Sequence, residues 1–268
     1  MMNDGENTAA PARSAGLTPS TVHHSSFCIH HFPRALLFDA VGTLIRPEPS
    51  VAAAYARAGL RHGVEIAEQE ISQRFRRAMA RQDEIDRTRH GGRTDQAREI
   101  ERWRGIVADV FAPSPQVEPI FDDLWEHFAS TANWRLFDDA ADAWRRLAAA
   151  GVRLAIASNF DDRLERICAA LPPLIDCPHV FVSSRIGWRK PHSEFFATIA
   201  AAMNLAPSDL LLVGDDLEND YQAATAAGWQ AILLDRAGSR ANAEVTGAAP
   251  AIPTIASLAE LAFVQAQL

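Results

Sequence analysis

Acidic, hydroxyl and amino side chains follow several of the apolar runs in this sequence. Asp39 ends the run ALLFD, Ser158 ends LAIAS and Asp215 ends LLLVGD, while Lys190 lies in the loop after HVFVSS. Taken singly, an acid or serine at a strand end is more typical of a helix N-cap. If the runs are neighbouring strands, these side chains meet at one sheet edge. Clustered carboxylates disfavour one another's ionisation unless a cation lies among them, and oxygen ligands favour Mg²⁺.

Lysine usage singles out one of these positions. Of the 26 lysine and arginine residues in the chain, Lys190 is the only lysine. One explanation is a nucleotide composition that favours arginine codons everywhere. The other is that position 190 requires a compact ammonium, which a planar guanidinium cannot replace. In that second interpretation, Lys190 completes the charge balance of the clustered carboxylates.

The elements that must position these residues are indicated by an alternating pattern from about residue 137 onward. Segments with helical spacing precede segments with strand character, as in DDAADAWRRLAAAG before VRLAIAS and SEFFATIAAAM before DLLLVGD. This order predicts an α/β protein with a parallel sheet and helices on both faces. The run ALLFD at 35–39 finds no partner strand in the segment that follows it, so we expect it to join the later sheet.

Residues 50–133 have a different pattern, in which apolar side chains recur at helical spacing among charges, as in ISQRFRRAMA and FDDLWEHFAS. We predict several amphipathic helices with no strand, inserted over the carboxyl edge of the sheet, where such folds bind ligands. The predicted organisation has three parts, which are a disordered leader at 1–33, a Rossmann-like core at 34–48 and 135–268, and an all-helical cap at 49–134.

Composition excludes several classes of protein. The chain has 268 residues, 48% of them hydrophobic, which suffices for a globular core. A formal net charge of −8 without a basic stripe excludes nucleic acid as an expected partner. No apolar stretch approaches the roughly 18 residues that cross a bilayer, and the N-terminus lacks a signal-peptide layout. Three scattered cysteines do not suggest a disulfide framework, so we predict a cytoplasmic protein without membrane partners.

Four segments carry a family resemblance when they are taken in order. FDAVGTL, IASN, GWRKPH and VGDDLEND together resemble the four motifs of the haloacid dehalogenase superfamily, in its phosphatase-like branch with a helical cap. The resemblance covers about residues 35–260, and the order of the four motifs makes it specific. It implies a hydrolase with Mg²⁺ as cofactor, a small-molecule anionic substrate and a cap that closes over the site. A monomer or a homodimer is expected.

The resemblance also implies roles for individual residues. Asp39 would be the nucleophile that attacks phosphorus and forms an aspartyl-phosphate. Ser158 would donate a hydrogen bond to the transferring phosphoryl group, and Lys190 would neutralise the same group while holding the nucleophile ionised. The substrate-binding positions implied are Gly42, Thr43 and Asn159, since a tight turn brings backbone amides under the phosphoryl group.

The implied metal site uses the same sheet edge. Asp39 and Asp215 would ligate Mg²⁺, with the backbone carbonyl of Val41 as a further ligand. Asp216 or Asp220 would orient the metal-bound waters and the lysine.

One position departs from the phosphatases of this superfamily. Two residues after the nucleophile they carry a second Asp, which protonates the leaving oxygen and then deprotonates the attacking water; here the residue is Val41. Loss of a general acid/base typically lowers the rate by ~10² to 10⁴. Ordinary alkyl phosphates are therefore expected to be poor substrates. His192 is more typical of a helix start, although a histidine there could act as a replacement base.

Four functions follow from this departure. A phosphatase acting on acyl or aryl phosphates needs no acid, and we predict this function. A 2-haloacid dehalogenase also lacks the second Asp, but it uses no Mg²⁺ and carries Ser-Ser-Asn where this chain has Val213-Gly214-Asp215. Phosphonate hydrolysis requires a cap lysine, which is absent. The dehalogenase and a non-catalytic phosphate-binding or interaction protein both remain as alternatives.

Two further features of residues 50–133 concern the substrate. Because Glu and Asp are interspersed, we expect the arginines there to form a solvated helix face; an arginine clamp on an anionic substrate is the alternative. Trp103 and Trp125 are expected in the core rather than as a substrate platform. The arginines concerned are Arg74, Arg76, Arg77, Arg81, Arg87, Arg89 and Arg93.

Overall fold

A parallel sheet forms the centre of the protein. The computed structural model describes residues 33–238 and 252–261, so the predicted leader at 1–33 lies, except for Pro33, outside the described residues. The strands are β1 (Ala35–Phe38), β2 (Ile45–Pro47), β3 (Trp134–Leu136), β4 (Arg153–Ser158), β5 (Val180–Val182), β6 (Leu210–Gly214), β7 (Gln230–Leu234) and β8 (Thr254–Ile255). Over these residues the sheet has six parallel strands in the order β5-β4-β1-β6-β7-β8. The predicted Rossmann-like α/β fold is confirmed.

Helices surround this sheet and also form a separate layer. They are α1 (Val51–Arg61), α2 (Glu68–Arg89), α3 (Gln96–Phe111), α4 (Val117–Ala129), α5 (Ala140–Ala149), α6 (Arg163–Ala169), α7 (Ser183–Ile186), α8 (Ser193–Met203) and α9 (Ala223–Ala226). A π-helical segment, Leu217–Gln222, leads directly into α9. No helix in the described part of the chain combines the length and apolar character that crossing a bilayer requires.

Helices cover the sheet on both faces because its central strand is apolar on both. Leu36 and Phe38 pack in one cluster, which includes residues of α5 and α6. Ala35 and Leu37, which alternate with them, pack in a second cluster with residues of α8 and α9. Successive strand residues point to opposite faces, so the unbroken apolar run ALLF predicts a strand buried on both sides.

The four helices α1–α4, called here the inserted helices, lie in the chain between β2 and β3 and contain no strand, as predicted for residues 50–133. They have an apolar cluster of their own, in which Tyr55, Ile71 and Ile106 are fully buried. The division of the chain into a core and a cap domain stays a prediction.

A two-stranded ribbon joins the inserted helices to the rest of the chain. Strands β2 and β3 pair antiparallel, with Ile45 opposite Leu136 and Pro47 opposite Trp134. The sequence did not indicate this ribbon because strands of three residues are too short to show an alternating pattern. Because of this pairing, the chain segments that enter and leave the inserted helices run side by side.

Buried charges link the inserted helices to the loop that precedes Lys190. Arg189, in that loop, donates to Glu99 on α3, and its guanidinium lies 3.7 Å from Asp86 on α2. Asp86 also accepts from Arg98 at 2.8 Å and from Arg102. A buried charge is costly without a partner, so these five charged side chains depend on one another.

Backbone hydrogen bonds reinforce this contact. The amide of Thr94, between α2 and α3, donates to the carbonyl of Gly187 at 3.1 Å, and the amide of Arg189 donates to the carbonyl of Gly92 at 2.9 Å. The inserted helices therefore contact the lysine-bearing loop through both side chains and backbone.

Neutralising one member of the buried cluster is expected to destabilise the protein. Glu99 is 1% exposed and accepts from Thr94 at 2.8 Å as well as from Arg189. Glu99→Gln keeps the shape but leaves the arginine undercompensated, so the free energy of unfolding should fall by about 3 kcal/mol in urea denaturation.

The matched control is Glu101→Gln on the same helix. The Glu101 side chain is 69% exposed and lies 3.3 Å from Arg98. An exposed ion pair contributes little, so the free energy of unfolding should change by less than about 0.5 kcal/mol. Equal losses in the two variants would show that the buried cluster does not hold the structure together.

Candidate active site

Three strand ends bring the predicted catalytic residues together. Strand β1 lies between β4 and β6 and runs parallel to both. Asp39 follows β1, and its amide donates to the carbonyl of Val213 at 2.9 Å. Ser158 is the last residue of β4, and Asp215 follows β6. Since parallel strands end at the same edge, all three line one cavity, as expected from the sequence.

The ammonium of Lys190 is the centre of the site. It donates to Asp39 Oδ1 at 2.7 Å, to Asp220 Oδ1 at 2.5 Å and to the carbonyl of Ala157 at 3.1 Å. Only 4% of the residue is exposed, and the ring of Phe195 lies 5.9 Å from its nitrogen. The three donors of an ammonium are thus all used, in directions that a planar guanidinium does not offer.

Charge keeps this lysine protonated. Burial acts to lower the pKa of Lys190, but the carboxylates of Asp220 and Asp39 outweigh that effect and raise the pKa above its ordinary value. The geometry therefore supports the interpretation that position 190 requires a lysine, in a chain that otherwise uses arginine.

Asp215 is held against the turn that follows β1. It accepts from the hydroxyl of Thr43 at 3.1 Å. Gly42 has φ +94°, and a Cβ there would lie 2.3 Å from Asp215 Oδ2. Burial, and next the charge of Asp39, raise the pKa of Asp215 to about 6, against the lowering effect of the threonine. Glycine is required at 42 by its backbone conformation and by the carboxylate.

Asp220 and Asp216 have different positions. Asp220 is buried, and its Oδ2 accepts from the amide of Asp216 at 3.1 Å while its other oxygen accepts from the lysine. Asp216 instead caps the π-helical segment, because its carboxylate accepts from the amides of Glu218 and Asn219, each at 2.9 Å. Of the two candidates for orienting the lysine, the contacts favour Asp220.

The donor set fits a hard divalent cation. Carboxylate oxygens of Asp39, Asp215 and Asp220 all lie within 4.8 Å of one another. Asp39 and Asp215 each use one oxygen in the hydrogen bonds described above, which leaves each a second oxygen as a possible ligand. Both oxygens of Asp220 are engaged, so it suits a supporting role. Burial raises the pKa of Asp220 above its ordinary value. The charge of the lysine opposes this effect, and the charge of Asp39 adds to it.

Asn159 holds the lysine loop in place. Its side-chain oxygen accepts from the amide of Lys190 at 2.8 Å, and its side-chain nitrogen donates to the carbonyl of the same residue at 2.9 Å. Asn159 also lines the cavity, so its predicted substrate contact stays a prediction. The observed contacts make it a positioning residue for Lys190.

The turn after Asp39 differs in detail from the expectation. The amide of Gly42 donates to the carbonyl of Ile45 at 2.9 Å, so the predicted donation from this amide to a phosphoryl group is not supported. Thr43 is fully buried, and its hydroxyl is engaged with Asp215. Both residues hold the Asp215 carboxylate and are not among the described residues that line the cavity.

The cavity extends from the acidic cluster into the inserted helices. Its volume is about 340 Å³. Its lining includes Asp39, Ser158 and Lys190, and the inserted helices contribute a mainly apolar wall. The aromatic side chains that the inserted helices contribute to this wall are Tyr55, Phe75, Trp103, Phe121, Trp125 and Phe128.

The seven arginines considered as a substrate clamp do not line this cavity in the described structure. Arg74 pairs with Glu70, and Arg81 pairs with Asp109 at 2.7 Å. The interpretation as an exterior helix face is therefore supported. Trp103 and Trp125 pack against the apolar cluster of the inserted helices, as expected, and they also line the cavity.

Three other arginines line the cavity, and the sequence did not single them out. Arg163 pairs with Asp161 at 2.7 Å and lies 3.6 Å from the centre of the Trp125 ring. Arg102 and Arg189 belong to the buried charge cluster. Its position next to the lone lysine could have identified Arg189 as a site residue from the sequence. Nothing in the local sequence distinguishes Arg102 or Arg163.

His192 is a helix-start residue. Its Nδ1 accepts from the amide of Glu194 at 3.2 Å, which caps α8, and its ring stacks on Trp188 at 4.1 Å. It is not among the described residues that line the cavity. The alternative of a replacement base is therefore not supported.

Among the described residues that line the cavity, no acid takes the place of the one missing at Val41. Val41 itself lines the cavity and packs partly against the core. The acidic residues on the described cavity wall are Asp39, Asp83, Asp215, Asp216 and Asp220. Three form the cluster, Asp216 is a helix cap, and Asp83 pairs with an arginine of the inserted helices. On the described cavity wall, the geometry thus supplies a carboxylate paired with an ammonium, without an acid in the position of the missing proton donor.

Comparisons with known proteins bear on this arrangement. The family described as "Hydrolase: haloacid dehalogenase-like hydrolase" matches residues 33–228. The human (Homo sapiens) haloacid dehalogenase-like hydrolase domain-containing protein 3 is 30% identical over 206 residues, which span 75% of this chain and 81% of that protein. A ribulose-1,5-bisphosphate 5-phosphatase of Halopiger xanaduensis is 29% identical over 210 residues, spanning 75% of this chain and 84% of that one.

A solved structure shows the same fold. The crystal structure of a defluorinating L-2-haloacid dehalogenase superposes with a TM-score of 0.67 at 16% sequence identity, covering 85% of this chain and 93% of that chain. At this identity the likeness concerns the fold alone.

Adding a methyl group at Gly42 should disrupt the site. Gly42→Ala places a Cβ against the Asp215 carboxylate in a left-handed backbone conformation, so the free energy of unfolding should fall by about 3 kcal/mol or more. Chemical denaturation measures the change.

The control for backbone conformation is Gly151→Ala. Gly151 has φ +77° with nothing within 4 Å of an added Cβ, so only the conformational cost of about 1 kcal/mol should appear. If Gly42→Ala costs no more than this control, the contact with Asp215 is not restrictive.

Proposed function

The chain belongs to the haloacid dehalogenase-like hydrolase family, and from this we propose that it is a Mg²⁺-dependent phosphate monoester hydrolase that forms an aspartyl-phosphate on Asp39. Its substrate is a small anionic ester whose leaving group departs without protonation. The chain is a hydrolase by family membership, and the choice of phosphate esters rests on the site.

The observation that carries the proposal is the pairing of Asp39 with Lys190 beside two further carboxylates. One ammonium cannot neutralise Asp39, Asp215 and Asp220 together, and a divalent cation among oxygen ligands would compensate the remainder. An acidic site of this kind suits a phosphoryl group, whose oxygens the metal would bind and whose charge the nearby ammonium would offset. It does not suit a bare halide.

In the first step, an oxygen of the Asp39 carboxylate attacks phosphorus and the P–O bond of the ester breaks. The leaving oxygen takes the bonding electron pair and departs as an aryloxide or a carboxylate. Lys190 holds the nucleophile ionised through its 2.7 Å hydrogen bond, and Ser158 stands at the cavity wall to donate to a phosphoryl oxygen.

The metal would be held by carboxylate oxygens of Asp39 and Asp215, with the carbonyl of Val41 as the further ligand that the resemblance implies. When bound, Mg²⁺ neutralises charge on the transferring phosphoryl group. Asp220 positions the lysine through its short hydrogen bond, and Thr43 positions Asp215. These roles depend on contacts that the chain makes by itself.

In the second step, water attacks phosphorus and the bond to Asp39 breaks, which regenerates the carboxylate and releases inorganic phosphate. The attacking water loses one proton, which passes to solvent because Val41 cannot accept it. Aryl and acyl phosphates do not need the missing acid in the first step, since their leaving groups are stable anions. The missing base slows the second step for every substrate.

The alternative of a 2-haloacid dehalogenase is supported by Val41 and by the shared fold, but the acidic cluster argues against it. A non-catalytic phosphate-binding protein would keep the same contacts without turnover. The cytoplasmic location and the monomeric or homodimeric state stay predictions.

The proposal is tested by Mg²⁺-dependent phosphate release from 4-nitrophenyl phosphate. The unaltered protein should turn over and lose activity when Mg²⁺ is chelated, and Asp39→Asn should reduce activity by at least about 10³-fold because the nucleophile is lost. Asp122→Asn, an exposed change outside the cavity, is the control. Halide release from a 2-haloacid without Mg²⁺ would instead establish the dehalogenase.

The missing acid/base predicts a kinetic signature. Because step two lacks a base, the first turnover of the unaltered protein should release about one equivalent of 4-nitrophenolate in a burst before a slow steady state. Val41→Asp should remove the burst and raise the steady-state rate by about 10² to 10⁴.

The matched control for this prediction is Val41→Asn, which has nearly the size of Asp but an amide that cannot act as a general acid or base. Equal gains from Asn and Asp would contradict the acid/base explanation. Silence from the unaltered protein with activity only in Val41→Asp would identify a phosphate-binding protein that does not turn over.

A further inference from the structure

The cavity above Asp39 has an apolar wall that the phosphoryl chemistry does not use. Phe75, Trp103, Trp125 and Phe128 are only partly buried within the apolar cluster of the inserted helices, and all four line the cavity. A surface of this kind gains free energy when an apolar group covers it. A phosphate group with a small polar ester would leave this surface wet.

The rings of this wall support one another. Tyr55 meets Phe75 edge to face at 5.4 Å, Phe75 stacks with Trp103 at 6.5 Å, and Phe121 lies 5.7 Å from Trp125. Rings that are fixed by neighbouring rings lose little freedom when a ligand binds. The wall is therefore preorganised for a planar ring, with which aromatic pairs form offset or edge contacts.

The cations of the wall are already neutralised. Arg102 pairs with Asp83 at 2.6 Å, and Arg163 pairs with Asp161. Arg189 pairs with a buried glutamate of α3. A second phosphate at this end of the cavity would have to displace a carboxylate. The cavity thus disfavours bisphosphate esters.

One polar group in this wall is available to a ligand. Tyr55 is 1% exposed and lines the cavity, and its hydroxyl makes no hydrogen bond within the part of the chain that the structure describes. A tyrosine hydroxyl in such surroundings ordinarily takes a partner. A ligand that carries an acceptor can supply it.

Resting on the proposed function, we propose that the substrate is a monophosphate ester of a planar aromatic alcohol whose ring bears one hydrogen-bond acceptor. The phosphoryl group lies at Asp39, the ring lies among Phe75, Trp103 and Trp125, and the acceptor meets Tyr55. An aromatic leaving group also departs as a stable anion, which the absence of an acid at position 41 requires. Two independent features of the chain thus select one class of substrate.

Binding of non-hydrolysable phosphonates tests this class without requiring turnover. Methylphosphonate, benzylphosphonate and naphthylmethylphosphonate share the phosphoryl group and differ in apolar size. In titration calorimetry with Mg²⁺, affinity should rise about tenfold at each step as more ring surface is buried. A flat series, or tighter binding of pentane-1,5-bisphosphonate than of the naphthyl compound, would overturn the proposal.

Two variants locate the ring in the cavity. Val51 and Val117 are each the first residue of an inserted helix and each half-buried, but only Val51 lines the cavity. Val51→Phe should fill part of the cavity and abolish the gain from the naphthyl ring, while Val117→Phe should keep it. Loss of the gain in both variants would show that the ring binds elsewhere.

Tyr55→Phe tests the acceptor. It should lower kcat/KM for 4-methylumbelliferyl phosphate, whose ring carries a carbonyl, by about fivefold, and leave 2-naphthyl phosphate unchanged. Equal effects on both substrates would overturn this part of the proposal. If no ester is hydrolysed while the phosphonate series holds, the proposed hydrolysis fails and the ring site stands.

Discussion

The three hydrogen bonds of the Lys190 ammonium are the interaction on which the site depends. They join Asp39 after β1, Asp220 beyond β6 and the backbone of β4 at Ala157. Three carboxylates around one ammonium leave negative charge uncompensated, which is why burial and mutual repulsion raise the pKa of Asp215. Two of the three carboxylates are paired with the lysine, but the negative charge of the whole cluster is not balanced. That combination suits a site that receives a divalent cation.

The loop that carries Lys190 also contacts the inserted helices. Arg189 precedes the lysine and pairs with Glu99 and Asp86, and Asn159 grips the lysine backbone from the other side. The position of the ammonium is thus set from both the sheet and the inserted helices. Arg102 and Arg163, the other arginines on the described cavity wall, are also paired with carboxylates, so these three are not free to hold an anionic substrate. The cavity is left with an acidic part, where we propose that the phosphoryl group binds, and an apolar part formed by the inserted helices.

The absence of an acid at position 41 and the aromatic cavity wall favour the same kind of leaving group. A site without a proton donor needs a leaving group that departs as a stable anion, and a wall of rings selects leaving groups that are aromatic. Neither feature alone decides the substrate. The phosphatase-like site and the dehalogenase-like fold are compatible because the fold provides the sheet edge, whereas the carboxylates placed there decide the chemistry.

The fold and the centre of the site could be predicted because they follow from local patterns. Alternation of helical and strand segments predicts a parallel sheet, and parallel strands carry their end residues to one edge. Asp39, Ser158, Lys190 and Asp215 were found in this way, without knowledge of any long-range contact. The three-residue strands β2 and β3 were not predicted, because a segment that short shows no alternation of apolar and polar residues.

Only the tertiary structure decided which residues surround the substrate. Tyr55, Arg102 and Arg163 have no local signal, since the side of a helix that faces the cavity depends on how helices pack against one another. Asp216 and Asp220 look alike in sequence, yet one caps a helix and the other holds the lysine. The sequence determined the reactive groups because strand ends converge whatever the packing. Packing decided the shape and polarity of the cavity, because those depend on side chains from separate helices meeting in space.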